Sequence, residues 1–298
     1  MAETESQLLK ICKDRVSLDP QHDRLCQRVF KKVLDTVINA AKIVSPEFKE
    51  VYYGKYKGGS YFDGLQVKCK NNDFDVNIIF KLPPTSWKLD NLCDDVRRPN
   101  FAHMTAKEQT SKAWKFLEGS NRKGQNVISP KKMKELLHQA VEKALSALGH
   151  KVEVGKVEYR VTRQRQDGTP VILKVEGPDP VKFTVDLVPA FELGMKHLSI
   201  DPLLETRVKN VMKFSDKTTT TFMAIALKAS SDQFELDFHE VERALLDSRP
   251  ETVFKVIKLM KHLRNEMGSN MLKLRSHLLK VNILIQEGLA QHKPCLSV

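Results

Sequence analysis

Two aspartates set one residue apart inside an otherwise apolar run, Asp73-Phe74-Asp75-Val76-Asn77-Ile78-Ile79-Phe80, constrain this chain more than any other feature. The run reads as a strand. Alternation along a strand puts Asp73 and Asp75 on one face and Phe74, Val76, Ile78 and Phe80 on the other, so two carboxylates converge. A second apolar run, Phe183-Thr184-Val185-Asp186-Leu187-Val188, contains one more acidic residue at a place where an unpaired charge is strongly disfavoured. Divalent cations take oxygen ligands, and two adjacent ions about 4 Å apart need a bridging carboxylate. Asp73, Asp75 and Asp186 are therefore the candidate metal ligands and the candidate catalytic residues.

Shortly before the first run stands Gly58-Gly59-Ser60. Glycines let backbone N–H groups approach phosphate oxygens, and a hydroxyl adds a donor, so Gly59 and Ser60 are candidates to hold a phosphate. The segment from Gly54 to Ser60 has the spacing of a P-loop, but Ser60 occupies the position where that loop requires lysine, which rejects the P-loop reading.

Around these motifs the periodicity predicts the frame. Leu25, Val29, Val33, Val37, Ala41 and Val44 mark a long amphipathic helix from Asp19 to Val44, closed by Pro46. Arg24, Arg28, Lys31 and Lys32 fall together on its other side, as a basic stripe or as an ordinary solvated face. A strand at Val51-Tyr52-Tyr53, a flexible Gly-rich turn from Gly54 to Gly64 and a strand from Asp73 to Leu82 are expected, then a mostly irregular connection from Thr85 to Gly124 with a short helix near 106–117. Ser129-Pro130 starts a helix through Leu148, and an antiparallel meander fills 151–189. After Pro189 no convincing strand is visible, and helical periodicity runs to the end.

Forty-nine Lys and Arg stand against 37 Asp and Glu, a net charge of +12, and the basic residues cluster, which implies a polyanionic partner such as nucleic acid. Five scattered cysteines give no disulfide framework, and Cys12, His22 and Cys26 lack a fourth ligand, so no structural zinc is expected. No apolar run is long enough to cross a bilayer, and the first ten residues carry no leader pattern, so no membrane partner and a cytoplasmic location are expected.

Gly-Ser-Tyr-Phe at 59–62, Asp-Phe-Asp-Val at 73–76, Phe-Thr-Val-Asp-Leu-Val-Pro-Ala-Phe-Glu at 183–192 and Leu-Met-Lys at 259–261 together resemble cyclic GMP-AMP synthase and the animal cGAS-like receptors, within the polymerase-β-like nucleotidyltransferases. The resemblance implies an α+β, bilobed fold: a twisted, mostly antiparallel sheet with helices plus a C-terminal helical lobe. The division expected is a core lobe with the long N-terminal spine helix at 1–190 and a helical lobe at 191–298. It also implies two Mg²⁺ or Mn²⁺ ions on the three aspartates, ATP and GTP as substrates, and synthesis of a cyclic dinucleotide in response to nucleic acid, as an innate-immune sensor. Lys261 and Ser276 match positions that touch nucleotide phosphate, and His277 stands where a tyrosine often stacks on the base. Glu235, Asp237 and His239 align with base-reading positions of a different chemistry, which leaves base choice and linkage open. The vertebrate zinc-binding insertion is missing before Lys255, which leans toward double-stranded RNA rather than DNA. Arg24, Arg28, Lys31, Lys32, Lys255 and Lys258, with the Arg122-Lys123 and Lys131-Lys132 groups, are the candidates to track a duplex backbone. A dimer or higher assembly on nucleic acid fits the same reading. The alternatives are a nucleotidyltransferase making linear oligonucleotides, or a catalytically silent nucleic-acid-binding scaffold of the same fold.

Overall fold

A computed structural model of the chain describes residues 19–67, 72–83, 87–91, 101–106, 112–120, 124–164, 170–178, 180–194, 221–226, 233–247 and 250–267. Helix α1, Pro20–Val44, begins where the Asp19 carboxylate accepts the Gln21 amide at 3.0 Å and Pro20 takes a first-turn position that needs no donor. Its buried stripe is Cys26, Val29, Phe30, Val33, Leu34, Val37, Ile38 and Ala41, the expected spacing made wider. Ser45 ends α1 and also caps α2, Pro46–Val51, its hydroxyl accepting the Phe48 amide at 3.3 Å, so Pro46 closes one helix by opening another.

Strand β1, Tyr52–Gly58, leads directly into a single helical turn, α3, Gly59–Phe62, and then β2, Asn72–Phe80. The expected flexible turn over 54–64 is thus corrected: β1 runs as far as Gly58, because antiparallel pairing of Lys55 to Gly58 with Ile78 to Asp75 holds even the glycine extended. The connection from 85 to 124 is also more ordered than expected. It supplies β3, Trp87–Asn91, β4, Phe101–Ala106, α4, Lys112–Leu117, and β5, Glu118–Ser120, and β6, Asn126–Ile128, follows just beyond it.

Helix α5, Pro130–Ala147, is capped by the Ser129 hydroxyl, which accepts the Lys132 amide at 3.3 Å, and buries Leu136, Leu137, Ala140, Val141, Ala144 and Leu145. The meander follows as β7, Lys151–Val154, β8, Val157–Gln164, β9, Val171–Glu176, and β10, Lys182–Gly194, with antiparallel pairing at each step. Strand content does not stop at Pro189. Strands β11, Thr221–Ile225, and β12, Phe234–Asp237, continue the same sheet before α6, His239–Asp247, and α7, Glu251–Met267. Pro189, which has no amide to donate, sits where one edge of β10 changes partner, from β9, last paired at Leu187, to β11, first paired at Ala190.

The fold is α+β around one mostly antiparallel sheet, with strands in the order β5-β6-β4-β12-β11-β10-β9-β8-β7, β2 on the other edge of β10, and β1 beyond β2. Helices α1 and α5 cover one face, where Phe74, Val76, Ile78, Phe80, Phe183, Val185 and Leu187 form the core. There Phe30 of α1 stacks on Phe74 at 4.3 Å between ring centroids. Among the described residues the opposite face carries a small apolar group, Ile79, Ala190, Met223 and Ile225, with Tyr56 and Val188 packed against it.

Candidate active site

The pairing of β2 with β10 decides where the acidic residues meet. These strands run parallel, in a register that sets Thr184 beside Asp73 and Asp186 beside Asp75. Cross-strand neighbours share a face, so the three aspartates lie together on the side away from α1 and α5. Their exposure agrees: Phe74 and Val76 are buried, Asp73 and Asp75 are exposed, and Asp186 is half-buried. Burial, followed by the nearby charges of Asp75 and then Asp73, pushes the Asp186 carboxyl up to about 6. Three anionic side chains that repel one another beside an open face make a suitable oxygen donor set for divalent cations. Among the described residues no three His, Cys, Asp or Glu side chains are already closed around a common centre, so the aspartates stand as neighbours rather than as a finished cage. The hydroxyl of Thr184 donates to Asp73 Oδ1 and holds that carboxylate in place.

Gly59 closes the site from β1. It has a φ of +75°, and a β-carbon there would stand 2.0 Å from Asp75 Oδ2 and 2.7 Å from its Cγ, so only glycine allows the turn and the carboxylate to occupy adjoining space. Gly58 is the β1 partner of Asp75, which places Asp75 between the glycine turn and Asp186. Ser60 follows at once. Its hydroxyl donates to Gln66 Oε1 at 3.1 Å, and its carbonyl accepts the Leu65 amide at 2.8 Å. Lys261 of α7 donates to the Leu65 carbonyl at 3.3 Å, and Leu65 packs with Leu246 and Ile257 in a small apolar cluster, so α6 and α7 are fastened to the loop behind the Gly-Ser turn.

The other sequence candidates are distributed as follows. Arg24, Arg28, Lys31 and Lys32 are all exposed on the side of α1 away from the core. The inner side of that helix reaches the glycine turn: Asp23 accepts the hydroxyl of Tyr61, and Phe30 contacts Phe62 at 5.7 Å. Lys255 pairs with Glu251 at 3.3 Å within α7, and Lys258 is half-buried on the same helix. Glu235 and Asp237 are half-buried, and their β12 positions pair with Ile225 and Met223, on the same sheet face as the aspartates. His239 is buried with its ring 4.0 Å from that of Tyr56, and burial lowers it to about 4, so it is neutral near pH 7. Ser276 and His277 lie outside the described residues, as do Arg122 and Lys123. Sequence reasoning missed Thr184, Gln66 and the Asp23–Tyr61 contact. Thr184 alone had a visible signal, being two residues before Asp186 and so on its face.

Residues 61–248 match the family described as Mab-21 protein nucleotidyltransferase domain. The chain belongs to the Mab-21 nucleotidyltransferase family. That span contains Asp73, Asp75 and Asp186, while Gly59, Ser60 and Lys261 fall just outside it. Over 272 residues the chain is 21% identical to a cyclic GMP-AMP synthase-like receptor of Aethina tumida, covering 87% of this chain and 64% of that protein. It is 33% identical over 79 residues to a cyclic GMP-AMP synthase-like receptor of Tribolium castaneum, covering 26% of this chain and 20% of the relative. The chain thus spans just under two thirds of the Aethina relative's length. This Mab-21 domain has no helix among its described residues long and apolar enough to cross a membrane.

Proposed function

We propose that the chain is a nucleic-acid-activated nucleotidyltransferase that joins ATP and GTP into a cyclic dinucleotide of the cyclic GMP-AMP type, as a cytoplasmic innate-immune sensor of double-stranded RNA. The observation that carries the reading is the parallel pairing of Asp186 with Asp75, next to a glycine that admits no side chain. Two Mg²⁺ or Mn²⁺ ions on Asp73, Asp75 and Asp186 would supply a Lewis acid that activates a ribose hydroxyl and offsets charge on the departing pyrophosphate. The residues themselves do the positioning. Thr184 fixes the Asp73 carboxylate, Gly59 leaves room for the Asp75 carboxylate, and Ser60 offers its hydroxyl to phosphate oxygens. Lys261, at the back of the same loop, supplies a positive charge for the triphosphate. Ser276 and His277 are proposed to act on phosphate and base from the C-terminal part of the chain.

Activation by a duplex is supported by the double allegiance of α1. Its outer side carries Arg24, Arg28, Lys31 and Lys32, while its inner side holds Tyr61 and Phe62 of the turn that bears Gly59 and Ser60. Cations on one helix face track phosphates without reading bases, which suits an RNA duplex, and Lys255 and Lys258 of α7 are proposed as further phosphate contacts. More than one copy on a duplex would give a dependence on its length.

The direct test incubates the protein with labelled ATP and GTP, Mg²⁺ or Mn²⁺, and duplex RNA, duplex DNA or neither, followed by mass spectrometry. A phosphatase-resistant dinucleotide formed only with RNA is expected. A phosphatase-sensitive product would make it a linear oligonucleotide synthase, and no product in any condition would leave a binding scaffold.

A further inference from the structure

We propose that Lys174 and Lys182 hold the triphosphate of the nucleotide whose ribose hydroxyl attacks, and so select acceptors that carry a triphosphate. The inference rests on the nucleotidyltransferase reading of the three aspartates and adds the place of the second substrate. Cross-strand pairing orders the open face of the sheet in rows. One row runs Gly58, Asp75, Asp186, Ile172 across β1, β2, β10 and β9, and the next runs Asp73, Thr184, Lys174 across β2, β10 and β9. The Gly-Ser turn therefore lies on one side of the aspartates and Lys174 on the other, two strand spacings or about 10 Å from Asp73. In phosphoryl transfer the attacking and leaving oxygens lie roughly in line. With the donor's pyrophosphate end at Gly59 and Ser60, the acceptor comes from the β9 side. Its hydroxyl oxygen bonds to the donor's α-phosphorus, the bond from that phosphorus to pyrophosphate breaks, and the hydroxyl proton passes to solvent. The acceptor's own triphosphate stays intact and keeps its charge.

The charges on that side fit a phosphate tail. Lys174 Nζ lies 2.7 Å and Lys182 Nζ 3.5 Å from the same oxygen, Glu176 Oε1. The hydrogen bond from Lys174, and after it the charges of Lys174 and Lys182, hold the Glu176 carboxyl below its ordinary value. Two cations thus share one ionised carboxylate and leave positive charge over. Arg160, the cross-strand neighbour of Glu176 on β8, is exposed and adds to it. Further along β10, past Pro189, the same face carries Glu192, with Asp237 of β12 across β11 from it. The face is basic before Asp186 and acidic beyond it, which directs a polyanionic tail toward Lys174 and Lys182.

The test follows mixed-dinucleotide formation by the full chain with saturating duplex RNA, Mn²⁺ and ATP as donor, read by mass spectrometry. The acceptor is either GMP or α,β-methylene-GTP, neither of which can serve as donor. The reciprocal set, GTP with AMP or α,β-methylene-ATP, is run alongside. In one of the two sets the acceptor KM is expected to be at least about tenfold lower for the methylene triphosphate than for the monophosphate, the factor that one charge-assisted hydrogen bond carries. Lys174→Ala and Lys182→Ala should each raise the KM of the triphosphate form about tenfold and move kcat little, whereas Lys174→Arg keeps the preference. Glu176→Gln, which frees both lysines of their competitor, should lower that KM, an effect that a merely structural ion pair would not produce. Equal KM values for the two acceptors in the parent overturn the proposal and leave the nucleotidyltransferase reading standing. So do lysine variants that keep the acceptor preference but lose RNA affinity in fluorescence anisotropy, which would make the cluster an RNA contact. No dinucleotide from the unsubstituted chain with any acceptor, or with ATP and GTP together, overturns the nucleotidyltransferase reading itself and this inference with it.

Discussion

A β-carbon on Gly59 would stand 2.0 Å from the Oδ2 atom of Asp75, so the glycine turn and the central carboxylate share a space that admits only one side chain. Gly59→Ala must therefore move one of them and also strain a backbone at φ +75°, a cost of about 1–3 kcal/mol. Nucleotidyl transfer is expected to fall on the order of 10²-fold, as small displacements of reacting groups do. Product formation and thermal unfolding of the variant check this together. Near-parental turnover would show that Asp75 does not need to be where Gly59 leaves it.

Asp186 should be a residue whose loss stabilises the metal-free fold. Its carboxyl is raised to about 6 by burial and by Asp75 and Asp73. A carboxyl raised above its unfolded value favours folding at low pH, and that contribution is lost as pH rises from about 4 through about 6. At neutral pH the charged form is a penalty, worth roughly 1–2 kcal/mol once screening at this partly exposed group is allowed for. Asp186→Asn in EDTA should thus melt higher than the parent near pH 7 and equal it near pH 4, while product formation is abolished. A variant that melts lower at neutral pH would mean that Asp186 is a structural acid with favourable partners.

Tyr61 donates its hydroxyl to Asp23, and burial with this contact raises its own pKa. This bond ties the inner side of α1 to the turn bearing Gly59 and Ser60. Tyr61→Phe removes it with little change of shape, at about 1 kcal/mol of stability. If α1 reports duplex binding to the site, the ratio of RNA-stimulated to unstimulated product should change severalfold while RNA affinity holds. An unchanged ratio would leave the contact as packing alone.

Much of this site was legible because its parts obey short-range rules. Alternation placed Asp73 opposite Phe74 and on the face of Asp75, and an aspartate amid Phe183, Val185 and Leu187 announced a partner without saying which. What the residues could not announce was register: that Asp186 falls beside Asp75 depends on long-range pairing of β2 with β10. The same limit hid β3 through β6, β11 and β12. Their runs of three to six residues are too short for alternation to stand out, and they become strands by pairing with one another and with β10. The 54–64 segment misled for a different reason, since glycines that read as flexible are held extended by β2 up to Gly58 and are needed beyond it for the approach of Asp75. Gln66 gave no signal at all, because its meaning lies in a hydrogen bond to Ser60 across a loop.

The outer face of α1 should contribute affinity for nucleic acid through charge and little else. Arg24, Arg28, Lys31 and Lys32 are exposed, whereas the residues that hold α1 to the sheet are on its other side, so replacing the four with alanine removes cations without opening the core. Each phosphate neutralised contributes about 0.9 to the slope of log affinity against log salt for a duplex. Substituting all four should lower that slope by up to roughly 3 to 4 and weaken RNA binding most at low salt, with the melting temperature nearly unchanged. Fluorescence anisotropy across a salt series measures it. A parallel drop in affinity at every salt concentration, with the slope preserved, would show that these side chains do not meet phosphates and that the basic surface engaged by RNA lies elsewhere.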